Sequence, residues 1–307
     1  MTSSEERPVW LPDDLFPFES RFVTISGTRV HYIDEGQGPT LLLLHGNPTY
    51  SFLYRHLVLR LRPLFRCVAP DFLGFGLSKA PVGFDFRPAS HAKMLKAFIE
   101  ALDLKGVVVM VQDWSGPIGL SVAANDAARF RGIVIGNTFA WSGRGDPHYE
   151  RFSAFMGGPV ARLLNRLFNF FPRVLLARGI CRKRLSAREM AAYLGPFTRH
   201  DSRLPMSILA REIIGSTLFL ETLQSSLGSL SELPALIVWG DRDFAFGEKE
   251  RLRFETIFKN STTILLPVAG HFIQEDAPEE IADAIVARFS SRSISPQPRP
   301  TDERRNQ

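Results

Sequence analysis

Apolar residues fall into short, dense blocks separated by polar turns. The blocks at 22–25, 30–34, 40–44, 67–69, 107–111, 133–136, 235–239 and 262–266 are three to five residues long and rich in Val, Ile and Leu, the pattern of short buried strands. Longer stretches near 52–61, 90–102, 116–125, 249–258 and 278–289 are predicted helices, because their apolar residues recur at helical spacing. Ser26-Gly27 reads as a hairpin turn between the first two strands. Thereafter strand and helix alternate, which predicts an α/β fold: a mostly parallel eight-stranded sheet with helices on both faces.

The interval from Gly136 to Ala235 is too long for one crossover and carries helical patterning, so it must hold an insertion. Within it Val160, Leu163, Leu164, Leu167, Phe168 and Phe171 recur at i, i+3, i+4, i+7, i+8 and i+11. That apolar stripe is expected to pack over the core domain; a membrane surface is its other conceivable partner. The chain therefore divides into a first core segment at 1–139, a helical cap at 140–216, a second core segment at 217–293 and a Ser/Pro/Arg-rich tail at 294–307, expected to be disordered.

With 307 residues, 45% of them hydrophobic and 22% charged, the chain can bury one large core together with such a cap. A net charge of +5 raises the question of a nucleic-acid partner, but thirteen Lys/Arg against five Asp/Glu lie between Phe139 and Glu212 with no recognised nucleic-acid motif. A solvated basic face is the simpler reading. Cys67 and Cys181 are too few for a disulfide framework and lack metal-ligand spacing. The opening MTSSEERPVWLPDD has no basic-then-apolar leader pattern, and no apolar run reaches the ~18 residues of a membrane span. The expectation is a soluble cytoplasmic protein with neither a nucleic-acid nor a membrane partner.

The segment VVVMVQDWSGPIGL puts Asp113 at the turn between a buried strand and a helix. Such an elbow lifts one side chain above the sheet and commonly carries a nucleophile. A carboxylate is already ionised at neutral pH and can attack carbon to leave an ester, although an aspartate here could also be a simple helix cap. Freeing that ester needs a base. His271 follows the last strand, ahead of a helix whose start Asp276 and Glu279 mark with capping-box spacing. A carboxylate must then orient the histidine, and GDRDFAFG offers Asp241 or Asp243, of which Asp243 lies further past the strand end. After the strand at 40–44, His45-Gly46-Asn47 sits where half an oxyanion hole forms. The Asn47 amide and the Trp114 indole add two uncharged donors suited to a departing anion. Gly74-Phe75-Gly76 is only half of a dinucleotide fingerprint and reads as a turn.

HYIDEGQGPTLLLLHGNPTYSFLYR, CVAPDFLGFGLSKAP, VQDWSGPIGL, WGDRDFAFG and GHFIQEDAPEEIA together resemble the haloalkane dehalogenases across nearly the whole chain. The resemblance implies the α/β-hydrolase fold, Asp113 as nucleophile, His271 as base, and Asn47 with Trp114 as halide-binding pair. One branch of that family takes its acid as Glu after the sixth strand, but IGNTFAW has none, which points to Asp243. Another uses a cap tryptophan as second halide donor, which Trp141 could supply. The implied reaction turns a halogenated aliphatic substrate and water into alcohol, halide and proton without cofactor or metal, and self-association into a homo-oligomer is worth testing. The family's elbow usually reads Asp-Trp-Gly-Gly; Ser115 stands at the third position and is expected to shift the turn slightly. The nearest rival is an epoxide hydrolase, which activates its substrate with two cap tyrosines, here Tyr149 and Tyr193. A catalytically idle ligand-binding protein on the same fold is the alternative from outside enzymology.

Overall fold

A computed structural model describes residues 7–290; the expected disorder at 294–307 lies outside them. Eight strands, β1 (Arg21–Ile25), β2 (Thr28–Glu35), β3 (Thr40–Leu44), β4 (Arg66–Pro70), β5 (Val107–Asp113), β6 (Phe130–Thr138), β7 (Ala235–Gly240) and β8 (Ser261–Leu266), form one sheet in the order β1-β2-β4-β3-β5-β6-β7-β8. β1 and β2 form an antiparallel hairpin whose turn puts Ser26 and Gly27 at φ of 49° and 79°, the left-handed pair that matches strand twist. β2 also runs antiparallel to β4, and every remaining pair is parallel. Every residue of β5 is buried, so both faces of the sheet are covered at its centre.

The helices are α1 (Arg55–Leu61), α2 (Pro88–Ala101), α3 (Ser115–Asn125), α4 (Pro147–Met156), α5 (Pro159–Phe168), α6 (Phe170–Gly179), α7 (Ala187–Leu194), α8 (Leu204–Gly215), α9 (Thr217–Ser226), α10 (Glu248–Ile257), α11 (Ile273–Asp276) and α12 (Pro278–Phe289). α1 packs on α12 in one layer, and α3 packs between α2 and α9 in another. The insertion between β6 and β7 comprises α4 to α8 followed by α9. No described helix is long and apolar enough to cross a membrane.

Two local expectations fail. The stripe on α5 does not pack over the core: Val160, Leu163, Leu167 and Phe168 are exposed, while Ala161 and Asn165 face inward. Helical spacing groups residues on one face without saying which way that face points, and the buried hydrogen bonds of Asn165 decide it. The proposed capping box before α12 does not form either. Its N-cap is Ala277, and the Asp276 carboxylate instead accepts from the backbone N–H groups of Gly270, Cys181 and Arg182 at 2.7–2.9 Å.

One buried ionic knot joins the insertion to the core. Arg55 on α1 is bidentate to Glu275 on α11, with Nη2 to Oε2 at 3.0 Å, and its Nη2 also reaches Glu189 Oε1 on α7 at 2.8 Å. Tyr193 donates its hydroxyl to Glu275 at 2.5 Å, and Lys183 Nζ lies 2.7 Å from Oε2. Burial alone would raise the Glu275 pKa, but Arg55 and Lys183 outweigh it and hold the carboxyl below its usual range. Removing one partner strands the other charge, so Arg55→Met should lower unfolding free energy by about 3–5 kcal/mol. A denaturant titration checks this; a loss of about 1 kcal/mol or less, the worth of a surface pair, would show that the knot is not stabilising the fold.

Candidate active site

The candidate residues all follow strand ends along one edge of the sheet: Asn47 after β3, Asp113 at the end of β5, Asp243 after β7 and His271 after β8. Crevices outside the carboxyl ends of parallel strands are where such folds bind ligands. Asp113 adopts φ of 51°, a left-handed conformation that costs a non-glycine residue on the order of 1–3 kcal/mol. Local bonds hold it there. Thr138 donates its hydroxyl to the Asp113 carbonyl at 2.6 Å, at a register break between β5 and β6. The Ser115 hydroxyl accepts from the Gln112 backbone N–H at 2.8 Å and shares its proton between the carbonyls of Leu44 and Gln112 at 2.6 and 2.7 Å. Ser115 therefore does not sit at the strained position, which belongs to Asp113; it opens α3 and ties the elbow together. Two glycines make the room: a Cβ at Gly46 would overlap the Asp113 carboxylate, and one at Gly116 would overlap the Thr138 hydroxyl.

The two carboxylate oxygens of Asp113 have different surroundings. Oδ1 accepts the backbone N–H of Asn47 at 2.6 Å, while Oδ2 lies 3.5 Å from His271 Nε2. On the far side of the imidazole, Nδ1 lies 3.0 and 3.1 Å from the Asp243 oxygens. Asp241 is exposed and accepts the backbone N–H of Val268 at 2.7 Å, so the structure brings Asp243 and not Asp241 to the histidine. Burial alone would lower the His271 pKa, but the Asp243 and Asp113 carboxylates outweigh it and raise it to about 10. The rings of Phe244, Phe246 and Phe272 surround the imidazole at 4.8–5.7 Å and keep those charges in a poorly hydrated space.

Two members of the site escape sequence reasoning. Asn137, at the end of β6, donates through Nδ2 to Asp243 Oδ2 at 2.8 Å and to the Gly240 carbonyl at 3.2 Å, and its Oδ1 accepts the Gly240 N–H at 2.8 Å. Gln112 donates through Nε2 to the His271 carbonyl at 3.1 Å, and the same amide nitrogen lies 3.0 Å from His271 Nε2. The available signal was an amide side chain set in a mainly apolar strand, Gln112 after VVVMV and Asn137 after GIVIG.

Asn47, Asp113, Trp114 and His271 open onto a tight cavity of about 30 Å³. Its other walls include Phe139, Phe246 and Phe272 from the core, and Phe152, Leu175 and Ile213 from the insertion. Asn47 Nδ2 donates to the Met206 carbonyl at 3.2 Å, which orients the amide. Trp114 lines the cavity, and its indole N–H makes no hydrogen bond to another described residue. Trp141 lies elsewhere, packed on Phe254 at 4.9 Å beneath the Arg253 guanidinium. Tyr149 lines the cavity but donates its hydroxyl to Glu250 at 2.8 Å, and Tyr193 is engaged with Glu275. His56, Glu189 and Glu275 offer ligand atoms within 4.8 Å of one another. Arg55 and Lys183 already occupy those carboxylates, and their positive charge disfavours a cation there.

Residues 39–278 match the alpha/beta hydrolase fold family, the class that this sheet and its strand-helix elbow define. Haloalkane dehalogenase 2 of Mycobacterium tuberculosis is 41% identical over 281 residues, covering 91% of this chain and 98% of that one. A cis-3-alkyl-4-alkyloxetan-2-one decarboxylase of Shewanella oneidensis is 30% identical over 278 residues, covering 88% and 87%. The crystal structure of an ancestral haloalkane dehalogenase superposes with a TM-score of 0.80 at 30% identity, over 87% of this chain and 97% of that one. Within the α/β hydrolases, this chain belongs to the haloalkane dehalogenase family.

The His271 pKa has a thermodynamic consequence. A group that binds its proton more tightly when folded stabilises the fold fully below its unfolded pKa of about 6.5, and that contribution is lost as pH rises towards 10. Unfolding free energy measured by denaturant should thus fall across pH 6.5–10 more steeply in the parent than in His271→Gln. Parallel curves for the two proteins would refute the raised pKa.

Proposed function

We propose that this protein hydrolyses the carbon–halogen bond of short haloalkanes, releasing alcohol, halide and a proton. The carrying observation is the asymmetry of Asp113: Oδ1 is held by the Asn47 N–H while Oδ2 faces His271. Oδ2 attacks the halogen-bearing carbon in line, its electron pair forms the ester bond, and the halide leaves with the electrons of the broken bond. The Asn47 amide and the Trp114 indole receive that halide as preorganised donors.

Esterification removes the negative charge of Asp113 from beside His271. The imidazole then holds its proton less tightly and passes it to solvent, becoming the base. Oriented by Asp243, it takes a proton from water, and the hydroxide adds to the Asp113 carboxyl carbon. Charge develops on Oδ1, where the Asn47 N–H already points. Collapse expels the alcohol, protonated by His271, and leaves a carboxyl whose remaining proton passes to His271, restoring the carboxylate beside a protonated imidazole. The chemistry uses groups of this chain and water, and calls on no cofactor. Residues 140–216 act as the cap, and the free Cys67 and Cys181 suit a reducing cytoplasm.

The oxetanone decarboxylase relatives suggest a second reading, in which the carboxylate attacks a strained lactone. Epoxide hydrolysis is disfavoured because the hydroxyls of Tyr149 and Tyr193 are committed to Glu250 and Glu275.

Halide or product release from a panel of short and long bromoalkanes, an epoxide and a dialkyl oxetanone should show turnover of the short bromoalkanes and little of the rest. His271→Phe exposed to a bromoalkane should accumulate an alkyl adduct on the peptide containing Asp113, read by intact-protein and peptide mass spectrometry, and Asp113→Ala should be inactive. Turnover by Asp113→Ala, or no adduct on the histidine variant, would sink the mechanism. In a separate comparison, Asp243→Asn should slow ester hydrolysis by up to about 10⁴-fold, the loss seen when a triad histidine is left in the wrong tautomer, and Asp241→Asn should slow it little. A larger loss at Asp241 would reverse their roles.

A further inference from the structure

α5 carries its apolar arc outward. With each helical residue advancing about 100°, Val160, Leu163, Leu167 and Phe168 fall on one side, and they are 67%, 56%, 46% and 64% exposed. Asn165 sets this orientation. Its Nδ2 donates to the Arg203 carbonyl at 3.1 Å and lies 3.3 Å from Ser207 Oγ, and its Oδ1 accepts the Phe171 N–H at 3.1 Å. Rolling the helix to bury the leucines would break all three contacts and expose an amide built for the interior. Phe155 at the end of α4 and Leu204 at the start of α8 add exposed apolar surface, at 62% and 43%. Contiguous apolar surface of this kind marks an interaction site.

Arginines border it. Leu163 and Leu204 share a groove with Arg162 and Arg166, and Leu167 and Phe168 share a neighbouring depression with Arg173 and Arg203. The one acidic side chain lining these two hollows, Asp201, is bound to Arg199 at 2.9 Å. Among the described residues no carboxylate pairs with Arg162, Arg166 or Arg173.

We propose that this face docks on an anionic lipid bilayer, with the apolar arc of α5 in the acyl boundary and the arginines among the headgroup phosphates. An exposed apolar helix face flanked by unpaired guanidinium groups has the chemistry of an interfacial helix. Charge selects this occupant over a second copy of the chain, which would set arginines against arginines. Each arginine near such a surface favours binding roughly fivefold. α5 packs on α4, α6 and α8, the helices that supply Phe152, Leu175 and Ile213 to the cavity, so the docked face lies one helix away from the site. Apolar substrates concentrate in lipid, and docking would bring the site to them.

The test is co-sedimentation of the full chain with phosphatidylcholine vesicles made with or without phosphatidylglycerol. Binding should be at least about tenfold stronger to the anionic vesicles. It should fall about tenfold or more both in Leu163→Asn/Leu167→Asn/Phe168→Asn and in Arg162→Gln/Arg166→Gln. Neither set touches the catalytic residues, so halide release in vesicle-free buffer and the thermal unfolding midpoint should match the parent, which separates this proposal from the reaction proposed above. Absence of binding to anionic vesicles would overturn it, as would equal binding by both variant proteins. Light scattering showing an oligomer that the apolar substitutions dissociate, with no vesicle binding, would assign the face to a second copy instead.

Discussion

Two carboxylates and one imidazole share a space that aromatic rings keep poor in water, and the balance of charge among them governs the rest of the site. His271 carries the proton that answers both, which is why its affinity for that proton is high. In the proposed reaction the nucleophile's own change of charge resets the base: once Asp113 becomes an ester, one of the two carboxylate charges that hold the proton is gone.

The scaffold meets this electrostatic demand with local geometry. Left-handed backbone at Asp113 lifts the carboxylate clear of the sheet, and Thr138 and Ser115 bond the turn from two sides. Gly46 lets the chain after β3 approach closely enough for the Asn47 N–H to reach Oδ1. Asn137 steadies Asp243 from the end of β6, so five adjacent parallel strands, β3, β5, β6, β7 and β8, each contribute to one constellation.

Much of this was legible in the sequence, for physical reasons that also mark where legibility ends. Runs of branched apolar residues disclose buried parallel strands, and strand ends are where chemistry gathers, so Asn47, Asp113, Asp243 and His271 could be picked out by position. Asp241 and Asp243 differ by two residues of loop path, and only the fold sends the first to the Val268 N–H and the second to His271. Asn137 and Gln112 were overlooked because a buried amide in a strand looks the same in sequence whether it bridges backbone or serves a catalytic group. On α5 the hydrophobic pattern was read correctly as a helix and wrongly as a core-facing one, since three hydrogen bonds from Asn165 outrank it. At Asp276 the capping spacing was present, but loop amides at Gly270, Cys181 and Arg182 had taken the carboxylate.

The Arg55 knot also bears on how this fold can be altered. Glu275 lies four residues beyond His271, and Glu189 belongs to the insertion, so a single guanidinium spans the insertion and the segment that carries His271. The insertion is therefore not an exchangeable module. An insertion transplanted from a relative without a carboxylate at the position of Glu189 would leave the arginine with one partner fewer and slacken the chain that aims the imidazole. Grafts meant to reshape the cavity would have to carry both halves of that joint with them.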